Sequence, residues 1–299
     1  MTRMLDPKDR EATGARLLSS SARNSYDPEI DIDWDAPLAE GKAYLPLHRV
    51  SLYGTEIWER LTPEQRIELS KHEIGSVASV GLWFEIVLIQ LLARYVYDKD
   101  PRTAHAQYAL TEIGDETRHI VMFAKAIERF GLPRYGPPRV VHELARAFKA
   151  VSGGASMFAS VLVAEEITDR LQRSMMDAED IQPLIRMVNR IHVVEEARHV
   201  RYAREELVRL MPTLGKAKLE LHRLVTAVVG FAIVDSLIDP NVYKSIGIDP
   251  AEGRRAALRN PHHQATRLWM GEKITEFLGD VGMIGGRSTK IWRRAHLLP

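Results

Sequence analysis

At 299 residues the chain exceeds the usual compact domain yet suits one large helical domain, and 45% hydrophobic with 27% charged residues is ordinary for a globular protein. A formal net charge of +1 gives no global attraction to nucleic acid or to an anionic membrane. The absence of cysteine excludes disulfides, thiolate-bound zinc and iron–sulfur clusters held by this chain.

Residues 1–43 are polar, with Ser19-Ser20-Ser21 and an acidic segment at 26–35, and predict an arm or extended cover. The start of the chain lacks the apolar core of a signal peptide. The longest apolar runs, 82–92 and 224–234, carry a Glu or are too short to span a bilayer. The expectation is a cytoplasmic protein with no membrane span and no nucleic-acid partner.

Residues 44–299 read as one domain, with a core bundle over about 63–211 and C-terminal helices over about 214–299. Thr62-Pro63-Glu64-Gln65 is a helix start, with Thr62 as N-cap, Pro63 in the first turn and Gln65 at the capping-box position. The helix it opens runs to about 97 and stops at Asp98-Lys99-Asp100-Pro101. A second helix, 103–130, ends at Gly131-Leu132-Pro133. A third spans 139–177, where Gly153-Gly154 marks a break or a close helix contact. A fourth runs from Pro183 to about Leu210, and a fifth from 214 to 238. Shorter helices follow near 250–259 and 261–278, then an irregular tail. No strand-like alternation competes. The predicted class is all-α, a ferritin-like four-helix bundle with additional packed helices.

The sharpest signal is an internal echo. Asp115-Glu116-Thr117-Arg118-His119 and Glu195-Glu196-Ala197-Arg198-His199 both fit [D/E]-E-x-R-H. Each has an ionisable residue four positions before its Glu: Glu112 in the first, His192 in the second. Spacings of three and four stack side chains on one helical face. Dinuclear carboxylate sites in bundles take Glu-x-x-His from two helices and one Glu from each of the other two. Neighbouring antiparallel helices mirror their heights about the turn between them. Mirroring Glu116 about 98–101 lands near Glu85, and mirroring Glu196 about the turn near Asp180 lands near Glu165. Four carboxylates match the charge of two divalent ions. His192 adds a third imidazole. Glu112 shares the face but stands outside the expected ligand set, as a buried acid or an acceptor behind the ligands. Asp115 and Glu195 are placed to accept the outer ring N–H of a ligating His. Glu166 and the pair His262-His263 read as solvated, and Trp83, Phe84, Trp269 and Trp292 as core.

With His192 beside the paired motifs, the chain resembles the ferritin-like diiron oxygenases, and among them the p-aminobenzoate (arylamine) N-oxygenases. The specific part of the resemblance is residues 85–199. It implies a four-Glu, three-His ligand set, matched by Glu85, Glu116, His119, Glu165, His192, Glu196 and His199. It implies two iron ions, or a mixed manganese–iron pair. It also implies O2 activation through a peroxo intermediate that oxygenates an amine of a small organic substrate. The implied partners are that substrate, O2 and an external electron donor such as a reductase, a ferredoxin or a chemical reductant, with a homodimer as the candidate assembly. No residue beyond the metal ligands is singled out as catalytic, and no organic-cofactor site is expected. The ligands alone leave C-hydroxylation, desaturation and aldehyde chemistry open. A non-catalytic iron-binding role fits less well with the long C-terminal extension.

Overall fold

The computed structural model describes residues 9–299. In chain order the helices are α1 (Arg10–Arg23), α2 (Pro28–Asp31), α3 (Glu56–Arg60), α4 (Pro63–Tyr97), α5 (Ala104–Arg129), α6 (Arg139–Val151), α7 (Gly154–Met176), α8 (Pro183–Leu210), α9 (Lys216–Ser236), α10 (Pro250–Arg259), α11 (Pro261–Asp280) and α12 (Ser288–Arg294). Among the described residues there is no strand, only an isolated bridge between Ala43 and Ile181. The architecture is the expected all-α bundle. Helices α4, α5, α7 and α8 form its core, α4 pairing with α5 and α7 with α8 across short turns.

Local chemistry sets the boundaries. Thr62 accepts from the Gln65 N–H, and Gln65 reaches back to the Thr62 N–H at 3.0 Å, so the capping box at the head of α4 is complete. Gly131, at φ +65°, takes the left-handed turn that ends α5. The Gly153-Gly154 pair proves to be a break. Gly154 sits at φ +59°, and the expected 139–177 helix divides into α6 and α7.

Two segments depart from expectation. Within the N-terminal stretch, of which residues 1–8 lie outside the described residues, Arg10–Arg23 is not extended but forms α1, packed along α5 and α8. A Cβ on Gly14 would lie 2.7 Å from the backbone at Ala104 and His105, so only glycine lets α1 approach α5 this closely. Polar contacts hold the rest: Arg10 to Glu206 at 2.6 Å and Thr13 to Glu205 at 2.6 Å. A helix held by a small-residue contact and ion pairs lacks the apolar stripe that periodicity detects. The C-terminal tail likewise closes with α12, whose Trp292 is fully buried against Gly230 of α9.

By length and composition, α4 and the stretch Lys216–Ile246 each contain a window apolar enough to cross a bilayer. In this fold α4 is the central bundle helix and carries two buried acids, Glu73 and Glu85. Glu73 lies outside the candidate site. Its carboxylate accepts from the Ser51 N–H at 2.9 Å and from the Ser51 hydroxyl, which also meets Tyr243 at 2.9 Å.

Burial pushes the Glu73 carboxyl up to about 7, although the Ser51 donors oppose the shift. A carboxyl raised in the folded state stabilises most below its ordinary 4.5, and that contribution is lost as pH rises toward 7. The span is worth roughly 3 kcal/mol. Glu73→Gln is therefore expected to flatten the stability profile between those pH values and to exceed the parent chain above pH 7. Urea unfolding across that range checks it.

Candidate metal centre

The bundle brings the two echoed motifs face to face. Helix α5 supplies Glu112, Asp115, Glu116 and His119, and α8 supplies His192, Glu195, Glu196 and His199. Glu85 comes from α4 and Glu165 from α7. All seven predicted ligands are buried, none more than 7% exposed. They converge in four overlapping triads whose ligand atoms lie within 4.8 Å of one another: Glu85/His119/His192, Glu112/Glu116/His199, Glu116/His119/Glu196 and Glu165/His192/Glu196. Glu112 thus joins the inner cluster with Glu116 and His199, one helical turn along α5.

Glu196 stands at the middle. Its Oε1 lies 2.9 Å from His199 Nδ1, 3.2 Å from His119 Nδ1 and 3.7 Å from His192 Nε2. Glu116 faces the same two imidazoles from α5, at 2.9 Å from His199 Nδ1 and 3.4 Å from His119 Nδ1. Glu85 Oε1 lies 3.3 Å from His192 Nε2.

The outer ring nitrogens explain why these inner ones face the cluster. His119 Nε2 lies 2.9 Å from Glu195, and His199 Nε2 lies 3.2 Å from Asp115. Each motif's leading acid holds the histidine of the other motif. His192 is turned by α7 instead, its Nδ1 lying 2.8 Å from the side-chain oxygen of Gln172. With the outer ring nitrogens engaged by these acceptors, the other nitrogen of each ring faces inward, where it can bind a metal once it gives up any proton. Arg198 lies 3.5 Å from both Asp115 and Glu195, and Arg118 pairs with Asp115.

The crossed bracing makes a direct prediction. Asp115→Ala and Glu195→Ala are each expected to weaken metal affinity by about 10–100-fold without removing a ligand. Chelator competition measures it, and affinity unchanged in both variants would show that the bracing is only structural.

The inner set fits cations. Glu85 Oε2, Glu112 Oε2, Glu116 Oε1 and Glu196 Oε2 are buried without a hydrogen-bond partner. The Glu116 atom is close to His199 Nδ1 but not aligned for a hydrogen bond. Buried, unpaired acceptors are costly unless something satisfies them. Carboxylate oxygens set beside inward-facing imidazole nitrogens are a ligand set suited to iron or manganese.

The electrostatics divide the acids. Burial pushes the Glu165 carboxyl well above the usual range, and Glu196, Glu116 and Glu85 add to it. Burial also raises Glu112 well above its ordinary value, only partly opposed by His199. Glu85 rises from burial despite His192. For Glu196, burial is outweighed by His199, His119 and His192, which hold it well below the ordinary value. His119 and His199 are held well above the ordinary imidazole value, burial being overcome by the surrounding carboxylates. A metal displaces those protons, so loading is a proton-releasing step.

Several other expectations change. Glu166 is buried, not solvated, and pairs with Arg204. His263 is buried beside Arg267 at 3.1 Å, while His262 stays exposed against Tyr53. Gln172 was not foreseen. Its signal was its spacing, two helical turns beyond Glu165 on the same face. A cavity also opens on the Glu85, Glu165 and His192 side, among Phe84, Phe123 and Ala164.

Comparison with known proteins agrees with this geometry. The family model described as P-aminobenzoate N-oxygenase AurF matches residues 7–282. Uncharacterized proteins of Mycobacterium bovis and Mycobacterium tuberculosis are each 30% identical over 209 residues. That match covers 68% of this chain and 62% of the relatives' length. The family is one of diiron oxygenases, and both echoed motifs lie within the matched span. The chain belongs to the p-aminobenzoate N-oxygenase AurF family.

Proposed function

We propose that the protein is a diiron oxygenase that oxygenates the nitrogen of an arylamine. Glu85, Glu116, His119, Glu165, His192, Glu196 and His199 hold the two metal ions in this reading, and Glu112 stands beside them as a protonated acid. The observation that carries it is the inward-facing Nε2 of His192, oriented by Gln172 at 2.8 Å, in a member of this family. Bound iron supplies O2 activation. The chain's own groups do the rest. Asp115, Glu195 and Gln172 fix the imidazoles. Glu112 holds a proton at its carboxyl next to Glu116 and His199. The apolar cavity keeps water from the reacting nitrogen.

The first turnover converts an amine, O2, two electrons and two protons to a hydroxylamine and water. With no cysteine to hold an iron–sulfur relay, the electrons come from an external donor. Anaerobic loading with ferrous iron is expected to give two irons per chain. Exposure to O2, reductant and an arylamine is then expected to give hydroxylamine, nitroso and nitro products. A chain that takes up no iron, or that oxidises only carbon, overturns the reading.

A further inference from the structure

Two apolar chambers meet at the candidate centre. The first lies among α4, α5, α7 and α8, with Glu85, Glu165 and His192 in its wall. The second lies between α4, α6, α7 and α9, with Leu144 and Phe148 of α6 in its lining. Both include Phe84, Ala164, Glu165 and Ile233, so these four residues form the wall between them. Among the described residues, neither chamber is lined by a lysine or an arginine. Their ionisable groups are only Glu85, Glu165 and His192, all in the inner cluster. One polar group in the first chamber is uncommitted. Asn189, one helical turn before His192, is 5% exposed, and its Nδ2 has no hydrogen-bond partner.

From this lining we infer that the site takes an uncharged arylamine whose substituent carries a neutral hydrogen-bond acceptor for Asn189, and that it excludes aminobenzoate anions. The inference rests on the N-oxygenation reading and names its substrate class. With the amine turned toward the metal ligands, a carboxylate at the other end would be buried with no lysine or arginine beside it, a costly placement. An ester carbonyl carries no charge and offers the acceptor that the Asn189 amide lacks.

The test is anaerobic calorimetric titration of the iron-loaded full chain with three probes: p-aminobenzoate, its butyl ester and p-butylaniline. The butyl ester is expected to bind at least about 100-fold more tightly than the acid, the scale of an unpaired buried charge. Asn189→Leu is expected to weaken the ester by about 10-fold while leaving p-butylaniline unchanged, the effect of one hydrogen bond. Gly81→Leu should weaken both neutral probes. An ideal Cβ at Gly81 meets nothing within 4 Å, so the new side chain fills the cavity without displacing backbone. Iron content and circular dichroism confirm that both variants fold.

Acid binding as tight as ester binding overturns the inference, as does an Asn189→Leu loss equal for ester and alkylaniline. Ester preference without nitrogen oxidation on admitting O2 and reductant keeps the inference about the lining and overturns the N-oxygenation reading. Butyl p-toluate, which has a methyl in place of the amine, separates the two further. Its binding reports the chamber alone.

Discussion

Glu196→Ala is expected to abolish stable metal loading and to lower activity by about 1000-fold or more, the scale of a catalytic group lost outright. Glu196 sits in two of the four triads and is the carboxylate that all three imidazoles approach. Its removal opens the centre from the α8 side, and no neighbouring acid on that helix turn replaces it, because Glu195 is engaged with His119 on the outer side. Stability gives an independent readout. A ligand that binds only the folded state at 100 times its dissociation constant stabilises by about 2.7 kcal/mol, so two ions contribute roughly 5 kcal/mol. For a chain of this size that is a rise in Tm of about 8 °C. The parent chain should show the rise when loaded and Glu196→Ala should not. Two retained irons and an unchanged Tm rise would remove Glu196 from the ligand set and with it the centre as described here.

His192→Ala is the second large effect. It separates a third imidazole ligand from a histidine that merely packs in the core. His192 lies against Phe123 and His119, with ring centroids 4.9 and 4.7 Å apart, so packing alone predicts a cost in stability and little else. A ligand role predicts more. Metal affinity should fall at least about 100-fold, and nitrogen oxygenation should be lost even where some iron is retained. Gln172→Ala supplies the graded control. It leaves the imidazole in place but frees its orientation, and it should weaken metal binding by about 10–100-fold. Full iron content and activity in His192→Ala, with only a lowered Tm, would leave the bundle and the family standing. The functional reading would then lose its main support.

Much of the site was legible because helical spacing is rigid. Three- and four-residue intervals placed Glu116 with His119 and Glu196 with His199 before any coordinates. Short turns between antiparallel helices then let heights be mirrored to Glu85 and Glu165, and both lie in the buried cluster. The caps at Thr62 and Gly131 are equally local, and the helix boundaries there fall within a residue or two of expectation.

Contacts between distant segments were not legible. The crossed pairing of Asp115 with His199 and of Glu195 with His119 depends on the rotation of α5 against α8. Gln172 behind His192 depends on the α7–α8 register. Helix α1 is fixed by one glycine and several ion pairs, none of which leaves a periodic apolar trace. Glu166 and His263 were misjudged as solvated because burial is decided by what packs over a residue; for Glu166 it is α8, which carries Arg204.

The sequence by itself determined the helices, the paired motifs and the glutamates at matching heights, because each follows from intervals along one chain segment or across one short turn. Only the tertiary structure decided which nitrogen of each imidazole faces inward, that Glu112 joins the inner cluster, and that the cavity beside Glu165 is apolar and, among the described residues, lined by no lysine or arginine. Those properties belong to surfaces assembled from two or more helices, whose relative rotation is set by packing and not by the order of residues within any one of them.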